Sequence, residues 1–370
     1  MSVEIHEIRE PATWNAMLLG LPAADLEQGW EWGEILAHTG WGIHRHAVTA
    51  GDACLGAVSI ASRHLAGLGA TLYASRGPVI RVKDDDAWSG LMRSITTVAQ
   101  RTDAIFLRVS PGIRQDFALH DRLLGHGFRH LDDDWTTWNA PRIVLHLDLD
   151  SDEQELLRRV RKTTRQEAAS ARRRGVEVRR ACDPADLARL HRLLVVMGNA
   201  KGYPVRGVER LRQLWDKYVT PGQGVFLVAE HEGAMIGGLL AARFGPRAYF
   251  QYASVQRDGE AQRLHPGPLL CWEFIRWAKA EGCETIDWGG SGTRYPPSPA
   301  DPGYGVYRFK RSFGCTLTYG PGYYDLVFKP RLYRAWRLGE RRVLPLAWRL
   351  RSRLNGRFGR LALEDHAVQG

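Results

Sequence analysis

Two stretches of this chain run through the same succession of apolar and polar positions. The first, "GDACLGAVSIASRHLAGLGATLYASRGPV", holds two apolar runs around a glycine turn and ends in Tyr73-Ala74-Ser75. The second, "HEGAMIGGLLAARFGPRAYFQYASV", repeats the pattern around a Gly-Pro turn and ends in Tyr252-Ala253-Ser254. Runs of this kind, punctuated by such turns, predict paired strands. Each pair is followed by a segment with apolar residues at 3.6 spacing, Trp88 to Ala99 and Leu269 to Ala280, and then by a short run, "AIFLRVSP" or "TIDWGG", that predicts a further strand. The repeat predicts a duplicated α/β unit, and 370 residues suit two cores rather than one. The expected division is a first domain over 1–150, a second over 151–320, and a returning strand with a basic tail over 321–370.

Between the halves lies "SDEQELLRRVRKTTRQEAASARRRGVEVRR". Ser151 followed by acids reads as an N-cap and Gly175 as a C-terminal stop, which predicts one helix between them. Leu156, Val160, Ala168 and Ala171 keep to one stripe, and Arg158, Arg161, Lys162, Arg165, Arg172 and Arg173 fall on the other faces. With few acids beyond the first turn to pair with, this cationic face suits phosphate; a solvated helix with surface ion pairs is the alternative. In the tail, Leu346, Leu350, Leu354 and Phe358 recur at helical spacing among Arg349, Arg353, Arg357 and Arg360, downstream of Trp336 and Trp348. That pattern describes an interfacial helix on an anionic membrane, or equally a helix docked on its own domain.

Charge sharpens this picture. The chain carries 51 Lys and Arg against 41 Asp and Glu, a net +10, most of it arginine. Arginine suits flat bidentate anions, so a polyanionic partner is expected, although a merely basic soluble protein has the same composition. No stretch approaches the length of a membrane span, and "MSVEIHEIREP" carries acids where a secretory signal carries bases, so the expectation is a cytoplasmic protein, peripheral at the inner face of the membrane if the tail binds there. The five cysteines form no C-x-x-C pair and the histidines no H-E-x-x-H; the acid runs Asp84 to Asp86 and Asp132 to Asp134 read as solvated loop charges, so no metal is expected.

The common hydrolase, Walker and dinucleotide signatures are missing. What remains is the strand "AYFQYAS", a helix from about Pro268, the strand "ETIDWGG", the proline-rich "RYPPSPADPGYG" and then "YRFKRSFG". In an α/β unit, strand ends and the loops after them converge on one cleft, so Tyr252, Asp287, Gly289 and Lys310 are candidates for one site. Asp287 could be a general base, or "DWGG" could be a strand end whose glycines permit a tight turn. Lys310 could be a catalytic ammonium, or a surface lysine on an alternating strand with Phe309 and Phe313 inward.

Six motifs carry a resemblance to a known family: "GWEWGEILAHTGW", "YASRGPV", "FLRVSP", "RRRGVEV", "IDWGG" and "FKRSFG", in this order over most of the chain, look like the Fem-type aminoacyltransferases in their compact form without a coiled-coil arm. The resemblance implies two acetyltransferase-like domains in tandem, and transfer of an amino acid from aminoacyl-tRNA to an amine on the stem peptide of a nucleotide- or lipid-linked peptidoglycan precursor. It implies that Phe309 and Lys310 lie near the aminoacyl-tRNA end, and that Arg206 in "KGYPVRG" and Tyr252 contact the precursor's diphosphate. A lysine that armless members carry shortly after the tryptophan of the first motif is missing, since Gly33, Glu34, Ile35 and Leu36 follow Trp32. The chemistry is coherent: an ester on tRNA is already activated, so the enzyme must position an amine, stabilise an oxyanion and let a proton leave, with neither metal nor cofactor. Lys310, fixed and desolvated by the phenylalanines, would be the oxyanion partner, and the arginines of the basic helix would hold tRNA. The rivals are an acyl-CoA N-acyltransferase, a tRNA-dependent transferase to another small-molecule or lipid acceptor, and a non-catalytic RNA- or membrane-binding protein. Prolines at 266 and 268 count against the first, because each removes an amide from a helix start that would hold pyrophosphate.

Overall fold

The computed structural model describes residues 3–112, 117–131, 143–201, 205–257, 259–291, 296–301 and 303–342. The strands, in chain order, are β1 (Glu4–Glu7), β2 (Gly42–Ala50), β3 (Ala53–Leu65), β4 (Gly69–Arg76), β5 (Val79–Ile80), β6 (Ala104–Pro111), β7 (Arg129–Leu131), β8 (Ile143–Asp148), β9 (Glu177–Arg180), β10 (Gly224–His231), β11 (Ala234–Phe244), β12 (Arg247–Val255), β13 (Thr285–Gly290), β14 (Thr316–Tyr319) and β15 (Tyr323–Val327). The helices are α1 (Pro11–Leu19), α2 (Trp30–Ala37), α3 (Asp85–Arg101), α4 (Phe117–Gly125), α5 (Glu153–Arg159), α6 (Lys162–Arg173), α7 (Ala185–Lys201), α8 (Val208–Leu214), α9 (Gly259–Leu264), α10 (Pro266–Ala280) and α11 (Tyr304–Arg311).

These elements form two units, each built on one mixed sheet. The first comprises Met1–Val144, Gly290–Tyr307 and Leu317–Gly339; the second comprises Leu145–Gly289, Arg308–Thr316 and the described residues from Glu340. The first sheet runs β1-β2-β3-β4-β6-β15-β7, with β5 beside β3, and the second runs β14-β8-β13-β12-β11-β10-β9. The chain is therefore not cut once near residue 150. Strand β8 precedes that point and lies in the second sheet, while the returning strand β15 is inserted in the first, antiparallel to both β6 and β7.

The repeat read from the apolar pattern is present in both units. In the first, the antiparallel hairpin β3-β4 leads through α3 to β6, which pairs parallel with β4. Asp84 caps α3, its carboxylate accepting from the Ala87 amide at 2.9 Å, with Asp85 and Asp86 in the first turn where they suit the helix dipole. These acids thus start a helix instead of decorating a loop. Trp88, Leu91, Ile95 and Val98 then bury one face of α3 against Val48, Ile60, Leu72 and Leu107. In the second, the hairpin β11-β12 leads through α10 to β13, parallel with β12. Helix α10 starts at Pro266 and is buried on nearly every side, through Leu269, Leu270, Trp272, Phe274, Ile275 and Trp277.

The segment expected as one basic helix is two. Asp152, not Ser151, is the first cap, and Val160 and Arg161 are extended, with ψ of 133° and 137°. A tertiary bond takes the place of continued helix: the Arg161 amide donates to the Ser312 carbonyl at 2.7 Å. The Arg165 guanidinium donates to the carbonyls of Leu157 and Arg158, satisfying the end that the break exposes. Gly175, at φ +82°, stops the second helix as expected. The start of the tail, residues 330–342, is helical, and within the first unit its Tyr333 and Trp336 pack on Phe106. Leu346, Trp348, Leu350, Leu354, Phe358 and the arginines among them lie outside the described residues, as do Asp132 to Asp134.

Candidate active site

The second unit contains a wedge between its two parallel strands. Register pairs between β12 and β13 stop after three, at Tyr249 and Asp287. Just beyond, the β11-β12 register shifts so that Gln251 is passed over, a bulge that turns β12 while it is still paired to β11. Lys310 reaches in where the strands cease to pair. Its Nζ donates to the Trp288 carbonyl at 2.5 Å and lies 5.3 Å from the centre of the Phe250 ring.

The sequence "YRFKRSFG" is helical here and not a strand: α11 ends at Arg311, and Phe313 follows two residues later. On a helix, Val306, Lys310 and Phe313 share a face, which makes the lysine inward and Phe309 outward. Lys310 is 7% exposed and Phe313 1%, whereas Phe309 is 37% exposed. The expectation that Phe309 desolvates the lysine is corrected accordingly. The apolar wall is Phe250, Trp288 and Phe313, stacked in that order at 5.5 and 5.2 Å between centroids, with Phe274 edge-on to Trp288. The buried thiols of Cys271 and Cys315 are close enough to act on the lysine electrostatically. Phe250 and Trp288 were missed because the eight residues around Lys310 fit a period of 2 as readily as one of 3.6; the 306/310/313 spacing was the signal available.

Burial in this wall pushes the Lys310 ammonium down to about 8, with the nearby Asp287 carboxylate opposing the shift. Asp287 is itself buried; its Oδ1 accepts from the Gly289 amide at 2.6 Å. Gly289 sits at φ +68°, and a Cβ there would lie 3.9 Å from the Lys310 Nζ. Asp287, Gly289 and Lys310 are therefore brought together. Tyr252 lies half-buried on β12 beyond the bulge, and Arg206 is exposed ahead of α8, its carbonyl in contact with His191 of α7 at 3.0 Å. No described contact joins Arg206 to Lys310.

The basic residues divide. Arg158 pairs with Glu155 at 2.8 Å, Arg172 pairs with Glu273 of α10 at 2.5 Å, and Arg165 is the helix cap already described. The acids scarce within the segment are supplied by another helix, which sequence spacing did not reveal. Arg161 and Lys162 are exposed, and neither has an acidic partner among the described residues.

A model of the FemAB family matches residues 21–234, more than half of the chain. The chain belongs to the FemAB family. An acetyltransferase (GNAT) domain model matches residues 158–311, within the part that carries the wedge. Among FemAB relatives, the lipid II:glycine glycyltransferase of Staphylococcus aureus is 22% identical over 395 residues, covering 86% of this chain and 92% of that protein. The crystal structure of FemX superposes with a TM-score of 0.82 at 20% identity, covering 90% of this chain and 99% of that one. A tandem GNAT protein from the clavulanic acid biosynthesis pathway superposes at 0.53 with 12% identity, covering 88% and 98%. The two acetyltransferase-like units and the Fem resemblance read from the motifs are both borne out.

Proposed function

We propose that this chain transfers an amino acid from aminoacyl-tRNA to an amine on the stem peptide of a peptidoglycan precursor. The observation that carries the reading is a buried lysine, held by a backbone carbonyl and walled by aromatic rings, in the wedge of the second acetyltransferase-like unit. The acceptor amine attacks the ester carbonyl; the C–N bond forms and the carbonyl electron pair becomes an oxyanion. The Lys310 ammonium, in a low-dielectric wall, stabilises that charge far more than the same group in water. Collapse expels the ribose hydroxyl, which takes up a proton as the attacking nitrogen loses one. Asp287, whose carboxylate is engaged with the Gly289 amide, holds the strand end and offsets the cost of burying Lys310. Tyr252 and Arg206 are assigned to the precursor's diphosphate.

Acyl-CoA is the weaker donor reading. A pyrophosphate needs open amides at a helix N-terminus. Helix α10 begins with prolines at 266 and 268, and the Phe309 ring lies 3.9 Å from where a Cβ on Gly267 would be; α3 begins with three aspartates. The relatives' name specifies lipid II, which favours a lipid-linked acceptor over a nucleotide-linked one. No helix among the described residues is long and apolar enough to cross a membrane, so reaching such an acceptor is assigned to surface contact through the basic tail. Ending the chain after Arg342 keeps Tyr333 and Trp336 in place. It should spare transfer to a soluble nucleotide precursor and reduce both transfer to the lipid-linked one and vesicle binding.

The deciding experiment is incubation of the purified protein with a mixed pool of charged tRNAs and each precursor, followed by the mass of the product. Gain of one or more amino-acid residues on the stem peptide supports the reading. Acetyl transfer from acetyl-CoA, with no dependence on tRNA, overturns it.

A further inference from the structure

The break between α5 and α6 is locked to the segment that carries Lys310. The Arg161 amide donates to the carbonyl of Ser312, two residues beyond the lysine, and Gly314, at φ +83°, packs so closely that a Cβ there would come within 3.0 Å of Arg159 Cβ. The two cations that the break presents, Arg161 and Lys162, are exposed and have no acidic partner among the described residues. Their neighbours are committed: Arg158 to Glu155, Arg159 to Asp150, Arg165 to carbonyls, Arg172 to Glu273. A continuous helix would have spread its cations along one face. The break instead sets two of them beside the turn that follows the catalytic lysine.

Resting on the aminoacyl-tRNA reading above, we infer that Arg161 and Lys162 hold backbone phosphates close to the charged 3′ end of the RNA, and that the engaged arginines Arg158, Arg159, Arg165 and Arg172 do not. The ester carbonyl must meet Lys310, so phosphates within a few nucleotides of it fall within reach of cations anchored at Ser312. The pairing pattern separates these six cations into two that contact RNA and four that are structural; Arg173, likewise without an acidic partner among the described residues, lies at the end of α6 away from the Ser312 contact. Phosphate contact of this kind carries no base information, which suits an enzyme that reads the aminoacyl end of an RNA rather than its sequence.

The test uses the full chain with Arg161→Gln and Lys162→Gln, singly and together, and with Arg158→Gln as control. Affinity for bulk aminoacyl-tRNA, and for a charged acceptor-stem minihelix, is measured against salt. The double variant should flatten the slope of log affinity against log salt by about 1.4–1.8, two phosphate contacts at about 0.7–0.9 each, and equally for tRNA and minihelix. The control should keep the slope, and the acceptor's KM should not move in any variant. An unchanged slope in the double variant, an equal loss in the control, or a loss seen with tRNA but not with the minihelix overturns the inference. Wild-type protein that binds no charged RNA would overturn the tRNA reading itself, a distinct result. Thermal melting of each variant against wild type confirms that only surface charge has been removed.

Discussion

In the first unit the parallel pair β4-β6 shifts register once, between Ala70 and Thr71, and then stays paired from Thr71 to Arg76, the end of β4; in the second, β12-β13 separates after three pairs. Each unit buries a cation next to its parallel strands, and the cations are treated differently. Arg108 on β6 is fully buried and held by both oxygens of Asp325 on β15 at 2.7 Å, with the Tyr333 hydroxyl donating to the same carboxylate. Lys310 is given a carbonyl, an aromatic wall and the Asp287 carboxylate, whose help is outweighed by the cost of burial. A closed pair with a neutralised cation is a structural joint. A lysine whose burial outweighs the help of its carboxylate is a place where negative charge arriving from elsewhere is favoured, the role proposed above. On the proposed reading, one fold, used twice, serves once as support and once as chemistry.

That contrast can be broken most severely on the supporting side. Asp325→Ala leaves Arg108 buried without its carboxylate and should lower stability by about 3–5 kcal/mol, read as the shift of the urea unfolding midpoint. Lys310→Met should do the reverse: cut transfer by about a hundredfold or more, in line with about 2.7–4 kcal/mol for one oxyanion contact, with no loss in the unfolding midpoint. Near-normal turnover would remove Lys310 from the chemistry.

The pH dependence sharpens the same point. Because burial lowers the Lys310 pKa to about 8 from lysine's usual 10.5, the charged form is present below 8 and lost above it. Transfer limited by the ammonium should therefore fall as pH rises through about 8; a rise there would make the neutral amine a base. The folded state binds the lysine's proton less tightly than the unfolded one, so this group's contribution to stability improves as pH climbs from about 8 toward 10.5, and Lys310→Met should abolish that trend. Gly289→Ala places a side chain at φ +68° next to the Nζ and should cost about 1–2 kcal/mol in stability, together with a drop in kcat. The smallest effect is expected at Tyr252→Phe, where losing one hydrogen bond of about 0.5–1.5 kcal/mol should raise the acceptor's KM about three- to tenfold and leave the response to charged tRNA unchanged.

Local pattern carried the fold a long way. The duplicated hairpin, helix and strand were readable because each element is specified by its own apolar spacing and turn residues. The candidate site was partly readable: "FKRSFG" and "IDWGG" pointed to Lys310, Asp287 and Gly289, which the fold brings together. What failed did so for tertiary reasons. The break at Val160-Arg161 depends on the Ser312 carbonyl, about 150 positions away, and nothing in "RRVRKT" announces it. Glu273, which occupies Arg172, belongs to a distant helix. Phe250 and Trp288 gain their roles only when β12 and β13 separate, and a bulge at Gln251 has no sequence mark of its own.

The insertion of β15 between β6 and β7 has a consequence for how the chain is made. During synthesis, residues 1–144 leave the ribosome long before Tyr323–Val327, so the first sheet must wait with β6 and β7 lacking the strand that joins them. Strand edges left open in this way are prone to pair with other chains, and contacts so distant in sequence form slowly. The nascent amino-terminal half therefore completes its own sheet only after the residues of the second have been made.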